Sequence, residues 1–585
     1  MDKARALTNT DEVHSGTQLE TPYTGRGVVI GIIDQGFQYD HPAFRISQDS
    51  TRLVAVWNTA EKSPVYGSAK IIAAIHDGKY ESHATHVAGI AAGDSTMGSK
   101  TFYGIAPEAH IVAVSSNEFS DNDVFNGINL IKNVANKLGE PYVVNMSFGS
   151  NYGAHDGSDD FDRTIDTLSQ KGGIFVCSAG NDGNNNLHAA FDFEQGRDTC
   201  LITVKHNSAD DVILYILSDD EKAFSVTPFF YNISTGAFLK KSNLFWSRNQ
   251  NEFESQLNPN NQRYYYSAVM PVANDLSGIT DTQNYYFAFK VNGHAGHHLD
   301  AFLVGNDAEF TSIDNRFVTP AYDNTMSIGS PADTHTAITV GSYNSRLSWQ
   351  NLDARTISYT DERVIGKLSS FSSIGPTTDS AMLKPTICAP GLGIISSVKK
   401  NSSEFSSTTS TLCEKLTYGS SDYYYGVMQG TSMSAPIVTG IIALWLQANP
   451  ALTYNQILDI IQRSAIKDNF TGTTWNTSWG YGKIDAYAGL KLVLQTNSIN
   501  DVKNSTQPVT IKKSEHEWCI LFNNSENFAN MSLFSSDGKM VLSRTLTHIN
   551  SGDEQIIPFS GLTSGMYLLK IKTQNATTTR KVMVR

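Results

Sequence analysis

Three features of this 585-residue chain predict an α/β fold that is interrupted, and then followed, by antiparallel β-structure. The first is GVVIGIIDQG (27–36), a continuous apolar run closed by a carboxylate and a glycine. Such a run is a strand buried on both faces of a parallel sheet, with Asp34 at its C-terminal end, where open α/β sheets place their chemistry. The second is PIVTGIIALWLQA (436–448), apolar throughout and of the length of a buried helix, directly after the tight turn Gly430-Thr431-Ser432. The third is the stretch 193–320, where CLITVKH, DDVILYILS, NQRYYYSAVMPV, QNYYFAFKVNG and HHLDAFLVG alternate with period 2 between Asn, Asp and Gly clusters. That pattern predicts an inserted β-sandwich.

The turn before the apolar helix puts Ser432 at a helix N-terminus, where backbone N–H groups favour negative charge. A serine so placed is either an N-cap or, with a base nearby, a nucleophile. Upstream, HATHVAGIAAG (83–93) is a small-residue helix that begins with a histidine. Each block alone has a structural reading, since strand-end Asp residues cap helices and His residues are common at helix starts. Together they supply the three residue types that acyl transfer needs. A hydroxyl requires a base whose pKa lies near the working pH, and the resulting imidazolium requires a buried anion.

The chain resembles the subtilisin-like serine proteases on VVIGIIDQGF around Asp34, HATHVAGIAAG from His83 and GTSMSAP around Ser432. YGIAPEAHIVAV (103–114), YVVNMSFGS (142–150), FVCSAGNDG (175–183), SSFSSIGP (369–376) and LKPTICAPG (383–391) extend the resemblance from about residue 25 to 490. It implies a doubly wound, mostly parallel sheet with flanking helices, and a jelly-roll-like character for the insertion. It further implies Ser432 as nucleophile, His83 as general base and then acid, and Asp34 as the orienting carboxylate. Asn181 becomes the oxyanion donor, though GNDG by itself reads as a loop turn. Ser147, Phe148 and Gly149 become the strand that pairs with substrate, and Ser178, Ala179 and Gly180 one wall of the primary pocket. His86 resembles the family's second, structural histidine. The family has Gly after its catalytic His; here Ala84 adds a methyl group at a helix start, a mild change in the best helix-forming residue.

Composition fits this reading. With 40% hydrophobic and 17% charged residues the chain is globular, and its formal net charge of -13 argues against a nucleic-acid or anionic-membrane surface. No apolar stretch reaches the roughly 18 residues of a membrane span. Cys177 and Cys388 lie in apolar strand contexts, and Cys200 and Cys413 are a candidate disulfide pair whose geometry sequence does not give. Nothing resembles a clustered metal site. Structural calcium is common in the family, but the loop 93–99 holds one carboxylate, Asp94, and no site is assigned; catalysis requires no cofactor.

Asp34 stands too early for a signal peptide or folding prodomain to precede it, and MDKARALTNT has no apolar core, so a processed or an intracellular form is expected. The C-terminus favours the former. After ALTYNQILDIIQRSA and GYGKIDAYAGLKLVLQ close the catalytic domain (1–192 and 321–495), residues 496–507 turn polar and read as a linker. Residues 508–585 show short alternating strands, with a hairpin turn at Asp537-Gly538. They resemble the small β-sandwich sorting domains of secreted bacterial proteins, which implies a secreted or cell-surface protease and secretion machinery as a partner. The expected function is a serine endopeptidase acting on extended polypeptide through an acyl-enzyme. The alternatives are a processing protease with the insertion as selector, or an inactive relative serving as a binding protein.

Overall fold

The computed structural model describes the chain except residues 117, 207–211, 221–222, 240–255, 271–276, 278–280, 305–307, 314–316, 362, 400, 406–409, 505–508, 514–515, 524, 536–537, 574–576 and 585. The expected turn residue Asp537 therefore lies outside the described residues. Eight strands form the central sheet: β1 Val29–Asp34, β2 Leu53–Asn58, β3 Val65–Tyr66, β4 His110–Ser115, β5 Tyr142–Met146, β6 Ile174–Ser178, β7 Ala337–Asn344 and β8 Ile387–Leu392. Their order is β8-β7-β6-β5-β1-β4-β2-β3, and every neighbouring pair except β2/β3 is parallel. The strand order reverses direction beside β1, the switch point at which doubly wound sheets open a crevice.

Alternation along β1 explains why helices cover both faces. Val29 and Ile33 share a core with Val124, Ile128 and Ile131 of α2, Asp121–Leu138. Gly31 lets that helix approach closely, because a Cβ there would lie 2.4 Å from Ile131. Residues of the other parity face α1, His83–Ala92, and α3, Thr431–Ala448, which pack on each other and on the sheet. In α3 the residues Ile437, Ile441, Leu444 and Trp445 are fully buried, each large aliphatic side chain contributing about 1.5–3 kcal/mol. By length and composition α3 is long and apolar enough to cross a membrane, but 89% of it is buried within the fold. It is the core helix of this sheet.

The insertion is built from two antiparallel sheets of five and six strands. Cys200, Ile202 and Val204, then Leu214 and Ile216, then Phe287, Phe289 and Val291, point alternately into one core, as the period-2 pattern requires. Its limits are wider than sequence suggests. His188–Asp192 and Ala321–Asp323 pair with each other, and the former also pairs with His298–Val304, so the inserted sheet begins and ends on strands assigned above to the catalytic part. Five free cysteines correct the candidate Cys200–Cys413 disulfide: Cys200 is buried in the inserted core, whereas Cys413 sits in the hairpin strand Leu412–Tyr418.

A charged cluster fastens the root of the insertion. His188 Nε2 lies 3.1 Å from Asp300 Oδ1 and its Nδ1 lies 3.0 Å from Asp323 Oδ1. His298 Nε2 shares the same Asp300 oxygen at 3.1 Å. A ring with a carboxylate on each nitrogen is held as the imidazolium. Burial pulls the His188 pKa down, but the bonds to Asp300 and Asp323 more than offset it and raise it. Hydrogen bonding to Asp300 raises His298 to about 9. Burial alone would raise the Asp300 carboxyl; the two rings hold it well below the ordinary range instead. The histidine contribution is therefore complete below about pH 6.5 and is lost as pH rises through the folded values, that of His298 being about 9. Replacing buried His188 by Gln is expected to destabilise the insertion by about 2 kcal/mol at pH 6, because Asp300 and Asp323 lose their shared imidazolium while His298 and Arg263 stay beside Asp300. Urea unfolding followed by tyrosine near-ultraviolet CD checks this, and the variant's midpoint should vary less between pH 6 and 9.

A second compact unit spans residues 494–585. It contains a three-stranded and a four-stranded antiparallel sheet around Trp518, Phe522, Met531, Leu533 and Leu569. Glu526–Ser535 and Met540–Ile549 form the expected hairpin. The linker expected at 496–507 is corrected in part. Helix Ala486–Asn504 continues through most of it, since neither Gly nor Pro interrupts the stretch from Lys491 to Gln507.

Candidate active site

The C-terminal ends of β1, β5 and β6 and the N-termini of α1 and α3 converge at the switch point. Asp34, the last residue of β1, is 2% exposed. His83 is the first residue of α1, and its Nδ1 lies 2.8 Å from Asp34 Oδ1 and 3.0 Å from Oδ2. The Gln35 N–H also donates to Asp34 Oδ1, at 2.8 Å. With Nδ1–H engaged by the carboxylate, Nε2 is the ring nitrogen left to accept a proton. Burial pulls the His83 pKa down, while the charge and hydrogen bond of Asp34, with a further contribution from Glu404, raise it above its ordinary value. Ala84 is accommodated: its methyl is buried and its N–H donates to Gln35 O at 2.9 Å.

Ser432 occupies the second position of α3, with 9% of the residue exposed. Its hydroxyl donates to Ser147 O at 3.2 Å. Pro436 lies inside α3 and has no N–H, so the Ser432 carbonyl lacks its intrahelical partner. The Ser147 hydroxyl fills that vacancy at 3.0 Å. It is in turn bonded by Asn145 Nδ2 at 2.9 Å, and Asn145 Oδ1 accepts from Thr439 at 3.0 Å. A buried polar chain thus fixes the backbone on which Ser432 stands.

Asn181 follows β6 and is exposed. Its Oδ1 accepts the Thr431 N–H at 2.9 Å and the Thr431 hydroxyl at 3.1 Å, leaving the Nδ2 hydrogens free for another acceptor. Gly180, with φ +106, approaches so closely that a Cβ would sit 2.6 Å from Ser373 Oγ. Ser178 and Ala179 are buried beside it. Ser147, Phe148 and Gly149 run on from β5 toward the surface, and the Phe148 ring packs 4.6 Å from Phe119. Asp34 with His83, Ser432 with Ser147, and Asn181 with Thr431 are thus bonded groups at the C-terminal ends of the adjoining parallel strands β1, β5 and β6. His86 is fully buried, with Nε2 near the Ile394 and Gly426 carbonyls at 3.1 and 3.2 Å; burial lowers its pKa to about 3, as suits a neutral structural ring.

Two supporting residues escape a reading of sequence. Asp77 Oδ2 accepts from the Gly36 and Phe37 N–H groups and from the Ser115 hydroxyl, tying down the loop after Asp34. Glu404 accepts the N–H of Ser82, next to His83. Each lies in a loop with no motif around it. In the loop 93–99, Asp94 Oδ1 accepts from the Thr96 N–H and hydroxyl within its own turn. Among the described residues no group of three or more His, Cys, Asp and Glu side chains is arranged to hold a metal ion.

The profile of the subtilase family matches residues 25–277 and 302–482, and that of the secretion system C-terminal sorting domain matches 505–585. A PII-type proteinase of Lacticaseibacillus paracasei is 25% identical over 76% of this chain and 24% of its own length. A C5a peptidase of Streptococcus pyogenes serotype M3 is 26% identical over 77% of this chain and 38% of its own. The chain thus spans well under half the length of these curated relatives. The solved CspB protease of Clostridium perfringens superposes with a TM-score of 0.63 at 20% identity, covering 85% of this chain and 98% of that one, which shows a shared fold.

Proposed function

The chain belongs to the subtilase family and matches a secretion system C-terminal sorting domain, and on that premise we propose a secreted or cell-surface serine endopeptidase that cleaves extended polypeptide through an acyl-enzyme. The observation that carries the proposal is the paired Asp34 carboxylate on His83 Nδ1, which leaves Nε2 as the base at the same crevice as Ser432. In this reading the Ser432 hydroxyl leaves Ser147 O and turns toward Nε2. Its oxygen bonds to the substrate carbonyl carbon as its proton passes to His83. The oxyanion receives Asn181 Nδ2–H and the Ser432 N–H, and His83 then returns the proton to the leaving amine. Water repeats the sequence on the acyl-enzyme. Substrate backbone pairs with residues 147–149, so side-chain pockets supply the selectivity. The C-terminal unit is the proposed handle for secretion machinery.

A fluorophosphonate probe tests the nucleophile: peptide mapping of the labelled protein is expected to place the adduct on Ser432, and an adduct elsewhere overturns the assignment. Asn181→Ala tests the oxyanion donor, because it removes the Nδ2–H without placing a charge where the oxyanion forms. Its kcat is expected to fall by at least about 100-fold with KM little changed. A variant turning over at the wild-type rate removes Asn181 from the mechanism.

A narrower reading, a processing protease with the insertion as selector, draws on where the insertion is rooted. It leaves at His188, shortly after Asn181, and returns at Asp323, shortly before Ser330, whose carbonyl accepts the Ser150 N–H at 2.9 Å. Cleavage-site profiling on a mixed peptide pool separates the two: many unrelated sites favour broad action, one or two sequences favour selection.

A further inference from the structure

We propose that Glu404 is a positioning residue for His83, its carboxylate fixing the start of α1 and standing as a second anion behind the imidazole. The proposal rests on the reading of His83 as the base. Ser82 is the N-cap of α1, yet its side chain makes no cap bond to its own helix. Its hydroxyl instead accepts the Lys399 N–H at 2.7 Å, and its own N–H donates to both Glu404 oxygens, at 3.0 and 3.2 Å. Ser403 N–H donates to Tyr80 O at 3.2 Å, and Lys399 Nζ to Lys79 O at 2.5 Å. Lys399, Ser403 and Glu404 are thus laced to residues 79–82, the approach to His83. They are anchored in turn by Phe405, 4% exposed, packed with Val398 and Tyr424. The strand before Lys399 holds the next turn of the helix, with Ser396 and Ser397 hydroxyls donating to His86 O and Thr85 O, each at 2.9 Å.

Placement at a helix N-terminus suits a carboxylate by the helix dipole alone, so a structural cap is the rival explanation. Charge separates them. Burial lowers the His83 pKa, and Asp34 first, then Glu404, raise it. The other groups around the ring do not share this part. His86, one turn on, is neutral; Asp77 is engaged by Gly36, Phe37 and Ser115; Lys399 is turned to the Lys79 carbonyl. Glu81 stands two residues before His83, and the first two turns of α3 carry no titratable side chain.

Glu404→Gln keeps an acceptor for the Ser82 N–H and removes only the charge. Because the folded pKa of His83 is raised and the base must be neutral, loss of the anion is expected to move the acid limb of kcat/KM to lower pH. Glu404→Asp should leave the limb near that of the wild type. A limb that superimposes on the wild type in the Gln variant overturns the proposal, whatever happens to the plateau. The same shift is expected without turnover in the His83 imidazole titration, followed by NMR of selectively labelled histidine in Ser432→Ala and Ser432→Ala/Glu404→Gln. A His83→Ala enzyme with wild-type activity would sink the underlying reading instead, so the two failures are distinct.

Discussion

Ser432→Ala is expected to lower kcat on an extended peptide by about a millionfold, the scale of loss when the nucleophile of a subtilisin-type triad is removed. That is roughly 8 kcal/mol of transition-state stabilisation. Fluorophosphonate labelling should vanish, while the fold is retained. Stability should change by no more than about 1 kcal/mol, because the hydroxyl makes one hydrogen bond, to Ser147 O, on a residue already at the surface of the crevice. Ser434 is the rival hydroxyl two residues on, but it is fully buried and donates to Ala389 O at 3.1 Å, away from the crevice. Ser434→Ala should therefore keep its labelling. Equal cleavage of a peptide pool by Ser432→Ala and wild type, at matched folding by CD, would remove Ser432 from the chemistry.

What sequence reveals here depends on how local the governing forces are. Asp34 ends a strand, His83 begins a helix, Ser432 is the second residue of another and Asn181 follows β6 by three residues, so each lies at or beside the end of a strongly patterned element, and parallel-sheet topology brings strand ends together without further instruction. Glu404 and Asp77 act through single contacts made by loops, and nothing near them in the chain marks the N–H groups that they accept. The insertion's limits are unmarked in the sequence for a related reason. His188–Asp192 follows the Asn181 loop after Gly183 and a run of three asparagines, and its pairing with His298–Val304 and Ala321–Asp323 is what assigns it to the inserted sheet. The same holds for the cysteines, whose separation is a property of the folded chain. Helix Ala486–Asn504 shows the converse: its second half is polar, yet no Gly or Pro interrupts it after Lys491.

Asp34→Asn is expected to cost about 10⁴ in kcat while leaving the crevice in place. The amide is nearly isosteric, and its oxygen can still accept the Gln35 N–H that now bonds Asp34 Oδ1. Its NH₂ would then face His83 Nδ1, which must become the acceptor. The ring is left in the tautomer with hydrogen on Nε2, unable to take the Ser432 proton, and the anion that stabilises the imidazolium is gone. Since Asp34 helps to raise the His83 pKa, residual activity should also have its acid limb at lower pH. The decisive measurement is the double variant. If Asp34 acts only by making His83 a base for Ser432, then Asp34→Asn in a Ser432→Ala background should cost almost nothing further, because a triad behaves as one unit. A full additional 10⁴-fold loss in the double variant would mean that Asp34 serves catalysis by a route independent of the serine, and the assignment of the three residues to one proton path would fall.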